Sequence, residues 1–135
     1  MRQHLHVTCA IIRRCGHVLA AQRSSKMSMP LKWEFPGGKI HAGETPEECL
    51  RRELTEELGI TARIGQALPP TTHQYPDFTI TLYPFFCAIE SGDLIPHEHA
   101  ELAWLKPDEL LFLDWAEADR PVVNSCLTMP LEDSE

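Results

Sequence analysis

Apolar positions along the chain follow two periodicities, and the change from one to the other marks out its elements. Residues 5–12 (LHVTCAII) are β-rich and mostly apolar, the pattern of a well-buried strand. Arg13-Arg14-Cys15-Gly16-His17 reads as a turn and residues 18–22 as a returning strand. Residues 24–32 are polar with Pro30, which predicts a loop. Trp33-Glu34-Phe35 follows as a short extended piece running into the punctuation of Pro36-Gly37-Gly38. At Thr45 the period changes. Thr45, Pro46 and Glu48 match an N-cap, a first-turn proline and a capping-box acid three residues on. Leu50, Leu54 and Leu58 then form a stripe every four residues, and Gly59 suits the left-handed residue that ends such a helix. Beyond it come β-type runs at 71–75, 78–89 and 101–105, then two short helices at 107–112 and 121–127. This order predicts an α/β domain with a mixed sheet and helices on its faces.

Composition narrows the function without naming it. With 135 residues the chain suits one domain, expected over 1–130, followed by a short acidic tail at 131–135 that carries Glu132, Asp133 and Glu135. Hydrophobic residues make up 43% and charged residues 24%, ordinary for a folded domain and unlike a disordered one. Twelve Lys and Arg against 20 Asp and Glu give a net charge of -8, which opposes broad binding to long nucleic acid or an anionic membrane. A small anionic ligand would therefore need local cations or a metal. Five cysteines, with no C-x-x-C pair, fit a disulfide framework poorly and point to the reducing cytoplasm. No apolar run approaches membrane-spanning length, and the first residues do not lead into a signal-peptide core.

Glu53, Glu56 and Glu57 stand at i, i+3 and i+4 of the predicted helix, within an arc of roughly 100° at 100° per residue. Two readings compete on spacing alone. One is a solvated acidic face, partly offset by Arg51 and Arg52. The other is a site for a hard divalent cation, which takes carboxylate oxygens and bridges them to substrate phosphates.

The surrounding residues favour the second. Gly38 to Ile60 reads GKIHAGETPEECLRRELTEELGI, which resembles the Nudix box, G-x5-E-x7-R-E-U-x-E-E-x-G-U with U a bulky aliphatic. Gly38, Glu44, Arg52, Glu53, Leu54, Glu56, Glu57, Gly59 and Ile60 fill every fixed position, a highly specific match. The resemblance implies an α/β/α sandwich with a loop–helix–loop cradle that hydrolyses a nucleoside diphosphate linked to another group. It further implies that Glu53, Glu56, Glu57 and the Gly37 carbonyl ligate Mg²⁺ or Mn²⁺, with Arg52 and Glu44 bracing the loop against the helix.

The likeness continues outside the box. Residues 33–40 (WEFPGGKI) and Gln22-Arg23 are similar to the MutT-type nucleoside triphosphate pyrophosphohydrolases. By that resemblance Arg23, Glu34, Phe35, Pro36, Gly37 and Phe78 contact substrate, and Glu98 assists the metal or deprotonates water. The proton acceptor is Glu53 or Glu98. Trp33, Tyr75, Phe35 and Phe78 are candidates to stack on the base, or else core aromatics. His97 and His99 flank Glu98 and could tune it or bind metal, but lone loop histidines are more often merely polar, and both are read as outside the site. Asp119 stands where the MutT enzymes that act on oxidised guanine carry Asn. Ionised Asp only accepts, which favours a base edge with an exocyclic amine, whereas protonated Asp also donates and readmits a keto group. Asp119 also suits the N-cap of the last helix. The pattern is closest to CTP pyrophosphohydrolase and 8-oxo-dGTP diphosphatase relatives. It implies a (deoxy)nucleoside triphosphate cleaved to monophosphate and pyrophosphate by a monomer or homodimer. The competing readings are a nucleotide-sugar or dinucleotide hydrolase, an RNA 5′-end pyrophosphohydrolase and a nucleotide sensor without turnover.

Overall fold

A computed structural model describes residues 3–128; the expected acidic tail lies outside them. Eight strands and two helices follow in the order β1 (Gln3–Arg14), β2 (His17–Gln22), β3 (Trp33–Glu34), β4 (Gly37–Lys39), α1 (Pro46–Leu58), β5 (Thr61–Ala67), β6 (Thr71–Gln74), β7 (Phe78–Ser91), β8 (Glu101–Leu105) and α2 (Arg120–Thr128). Two 3₁₀ turns, Pro107–Phe112 and Glu117–Asp119, separate β8 from α2.

The strands form one mixed sheet in the order β3-β2-β1-β7-β5, with β4 on β1, β6 on β7 and β8 on β2. β1 is its spine. It runs parallel to β7 from Gln3↔Phe78 to Ile12↔Cys87, antiparallel to β4 and turns back into β2. Parallel pairing at the centre requires both faces to be covered, which explains the unbroken apolar stretch of β1. Its side chains alternate between two cores. Cys9 and Ile11 join Phe35, Leu82, Phe86, Trp115 and Val122 on the α2 side. Ala10 and Ile12 join Leu50, Leu54, Leu58, Ile60 and Phe85 on the α1 side. The α/β/α layering expected from the sequence is the layering found.

α1 forms as its sequence dictates. Thr45 accepts the Glu48 N–H at 3.1 Å while Glu48 reaches back to the Thr45 N–H at 2.9 Å, and Gly59 closes the helix at φ 72°. Three expectations need correction. Pro36-Gly37-Gly38 does not simply end an extended piece, because Gly37–Lys39 is itself a strand on β1. β5 has no counterpart among the expected elements. Asp119 is not the residue at which a helix begins, because the 3₁₀ turn Glu117–Asp119 runs straight into α2, and its Oδ2 accepts the Phe35 N–H, 84 residues away in sequence.

Candidate active site

The two glycines at the start of β4 set the back of the site. A Cβ on Gly37 would run into the Thr8 carbonyl, and one on Gly38 into the Glu53 carboxylate. Only glycine at 37 lets β4 approach the β1 backbone this closely, and glycine at 38 leaves the Glu53 carboxylate its place. Arg52 then fastens the loop to the helix. Its Nε and Nη2 donate to both oxygens of Glu44 at 2.6 and 3.0 Å, and Nη2 also donates to the Lys39 carbonyl at 3.2 Å. Its Nη1 donates to Glu53 Oε2 at 2.9 Å and to Glu56 Oε1 at 3.4 Å. Arg52, aided by the His41 N–H, holds Glu44 down to about 2, so the brace is ionised throughout the neutral range.

Glu57, half-buried at the inner end of the carboxylate face, is in the opposite situation. Burial, then the charges of Glu53, Glu34 and Glu98, push it up to about 9, against a small easing by the Gly37 N–H. Its Oε1 is buried with no hydrogen-bond partner. An unpartnered buried carboxylate oxygen among three other carboxylates is what a hard cation would satisfy. Among the described residues, no three His, Cys, Asp or Glu side chains already converge as a ligand set. The donors fit the ion, then, while Glu53 and Glu56 remain engaged by Arg52.

From this end a cavity of about 510 Å³ extends between the sheet and the segment ahead of α2. Glu57, Glu98, Gly37, Lys39, Arg23 and Glu34 line its polar part, and Phe35, Tyr75, Phe78, Ile80 and Asp119 line the far part. Glu34 sits between the two. Its Oε1 takes Arg23 Nη1 at 2.6 Å and its Oε2 takes His99 Nε2 at 2.8 Å. Tyr75 and Phe78 stack with centroids 4.9 Å apart, and the Tyr75 hydroxyl accepts the Ala118 N–H at 3.0 Å. Burial first, then the charge of Glu34, pushes Asp119 up to about 8, so it carries a proton at neutral pH.

The structure thus brings Arg23, Glu34, Phe35, Gly37, Glu57, Phe78, Glu98 and Asp119 around one cavity. Glu44, Arg52, Glu53 and Glu56 lie behind or beside it rather than in its wall. Pro36 is buried with its carbonyl accepting the Ala10 N–H at 2.8 Å, and Trp33 packs against the core near Trp115. Lys39, at the polar end, had no motif reason to be singled out beyond its place in the WEFPGGKI run. His99 is the clearest departure from expectation: it is buried, not a loop residue in solvent, and bonded within the site.

Comparison with known proteins gives the family. The NUDIX domain model matches residues 2–126. The chain belongs to the Nudix hydrolase family. Among curated Nudix relatives, the CTP pyrophosphohydrolase of Escherichia coli (strain K12) is 35% identical over 125 residues, covering 93% of this chain and 93% of that protein. The 8-oxo-dGTP diphosphatase of the same strain is 33% identical over 120 residues, covering 88% and 93%. Among solved structures, that of MutT, a Nudix hydrolase from methicillin-resistant Staphylococcus aureus 252, superposes with a TM-score of 0.75 at 39% identity, covering 95% of this chain and 98% of that one. As a Nudix hydrolase this chain is an enzyme for small nucleotide substrates, and no helix among its described residues is long and apolar enough to cross a membrane.

Proposed function

We propose that this Nudix hydrolase cleaves (deoxy)nucleoside triphosphates, of the cytidine type or bearing oxidised bases, to the monophosphate and pyrophosphate. It would act in the cytoplasm, sanitising the nucleotide pool. The observation that carries this reading is that Glu57 and Glu98 line one cavity together with Asp119, Tyr75 and Phe78. Glu53, Glu56, Glu57, Glu98 and the Gly37 carbonyl would hold Mg²⁺ or Mn²⁺. When bound, the ion neutralises charge developing on the phosphates and lowers the barrier to water attack.

The remaining work belongs to the side chains. Arg52 and Glu44 keep the β4–α1 loop at a fixed height over the helix. Glu53, with one oxygen held by Arg52, or Glu98 takes the proton from the attacking water. Arg23 and Lys39 supply positive charge to the phosphates. Tyr75 and Phe78 flank the base. Asp119, one oxygen fixed by the Phe35 N–H, presents the other to the base edge.

A pyrophosphate-release screen with Mg²⁺ over CTP, dCTP, 5-methyl-dCTP, dATP, dGTP and 8-oxo-dGTP tests the proposal. Turnover led by cytidine nucleotides or by 8-oxo-dGTP is expected. Glu57→Gln should reduce kcat by about 100-fold or more, the scale of losing one group aimed at developing charge, with the fold intact. Silence across the panel would turn the assignment toward a dinucleotide, an RNA end or a sensor.

A further inference from the structure

Glu98 projects from an exposed loop, yet its charge is felt at Glu57. Its neighbours show how the loop is held. On the α1 side, a Cβ on Gly92 would stand 2.5 Å from the Gly59 carbonyl, so loop and helix end pack backbone to backbone. The Ile95 N–H donates to Leu58 O at 2.9 Å and the His97 N–H to Glu57 O at 3.0 Å. The His97 ring adds Nδ1–H to Glu56 O at 2.9 Å. These are last-turn carbonyls with no intrahelical partner, in a helix with no basic residue in that turn, and the loop satisfies them. On the substrate side, the Ala100 N–H donates to Gln22 O at 2.8 Å. His99, its side chain 1% exposed, donates through Nε2 to Glu34, whose other oxygen holds Arg23. Glu98 is the one residue of the triplet left without such a tie, and it stands between two imidazoles, one tied to the last turn of α1 and the other to the Glu34–Arg23 pair in the cavity wall.

We infer that His97 and His99 are positioning residues. His97 sets Glu98 against the carboxylate turn of α1, and His99 fixes the Glu34–Arg23 pair to the same loop. Together they keep the carboxylate turn of α1 and the Arg23 that meets the substrate phosphates in register. The inference rests on the reaction proposed above. Its two halves carry different signatures, because one ring touches the catalytic helix and the other touches the Glu34–Arg23 pair.

The test uses the full chain with His97→Ala, His97→Asn, His97→Gln, His99→Ala and His99→Gln. Kinetics are measured on dCTP and 8-oxo-dGTP with Mg²⁺, and dCMP binding is measured by calorimetry in EDTA. His97→Ala should lower kcat by at least tenfold with KM within about twofold. His97→Asn should recover most of it, since the Asn amide places an N–H where Nδ1 stands, whereas His97→Gln should not. His99→Ala should raise KM and the dCMP Kd by at least fivefold, and His99→Gln, whose amide reaches the Nε2 position, should restore both. Ring ¹⁵N spectra of the unmodified protein should show His97 protonated at Nδ1. Equal effects of the two alanine variants on kcat and KM, no difference between Asn and Gln at 97, or a His97 proton on Nε2 alone would overturn the inference. A protein that turns over no triphosphate of the panel above would instead refute the proposed reaction, with dCMP binding and the ring spectra still judging the two histidines.

Discussion

At the residue scale the site turns on three carboxylates whose surroundings push them apart. Glu44 is held low by Arg52, while Glu57 and Asp119 are pushed high, chiefly by burial. Asp119 has the most specific consequence. Below about 8 it carries a proton, so its free oxygen can donate to a keto oxygen; above that it only accepts and favours an exocyclic amine. The ratio of kcat/KM for 8-oxo-dGTP to that for dCTP should therefore fall as pH rises through about 8. Asp119→Asn, which cannot ionise, should make the ratio flat across that range. A ratio in the native protein that does not change with pH would leave Asp119 structural, a peg for the Phe35 N–H. Part of this site was legible in the sequence: the box residues and Asp119 stood out by position. His99 was not, because nothing within a few residues of it reports a partner at Glu34, 65 positions away.

At the scale of elements, α1 was legible almost to the residue and β5 was not, for the same physical reason. The cap, the box, the leucine stripe and Gly59 all lie within the helix or next to it. Thr61–Ala67 instead carries a polar, largely exposed sequence with Gly65 in it, and it pairs irregularly with β7 through register shifts. Its strand character comes from the open edge of β7, a partner no local pattern reveals. The two kinds of information also separate stability from activity. Thr45→Ala removes the cap and should cost about 1 kcal/mol, lowering Tm by about 4 °C while leaving kcat nearly unchanged. Gly38→Ala puts a methyl group against the Glu53 carboxylate, so its loss should fall on kcat, by tenfold or more. Thermal melts and steady-state rates on the two variants should give opposite rankings. If Gly38→Ala kept full kcat, Glu53 would have room to spare and no part in the reacting geometry.

For the whole molecule the same carboxylates link stability to pH and to metal. Glu57 at about 9 against an ordinary 4.5, and Asp119 at about 8 against 3.8, bind protons in the folded chain that the unfolded chain has released. Each therefore makes the metal-free protein less stable as pH rises, Glu57 between roughly pH 4.5 and 9 and Asp119 between roughly 3.8 and 8, by at most about 1.4 kcal/mol per pH unit for one group. Glu44 acts the other way, but its contribution is lost only as pH falls from its ordinary 4.5 toward 2, so it is constant across this window. A divalent cation at Glu57 would take the place of the proton, and its binding would strengthen as the competing proton becomes scarce. At 100 times its Kd such an ion stabilises by about 2.7 kcal/mol, or about 10 °C in Tm for a domain of this size. The Tm of the EDTA-treated protein should thus fall from pH 6 to pH 8.5, and the increment on adding Mg²⁺ should grow over the same range. Glu57→Gln should reduce the metal-free slope to the share left by Asp119, lose most of the Mg²⁺ increment and melt no lower than the native protein in EDTA at pH 8.5. A Mg²⁺ increment of the same size at both pH values would place the ion away from Glu57 and leave its unpartnered oxygen without a ligand.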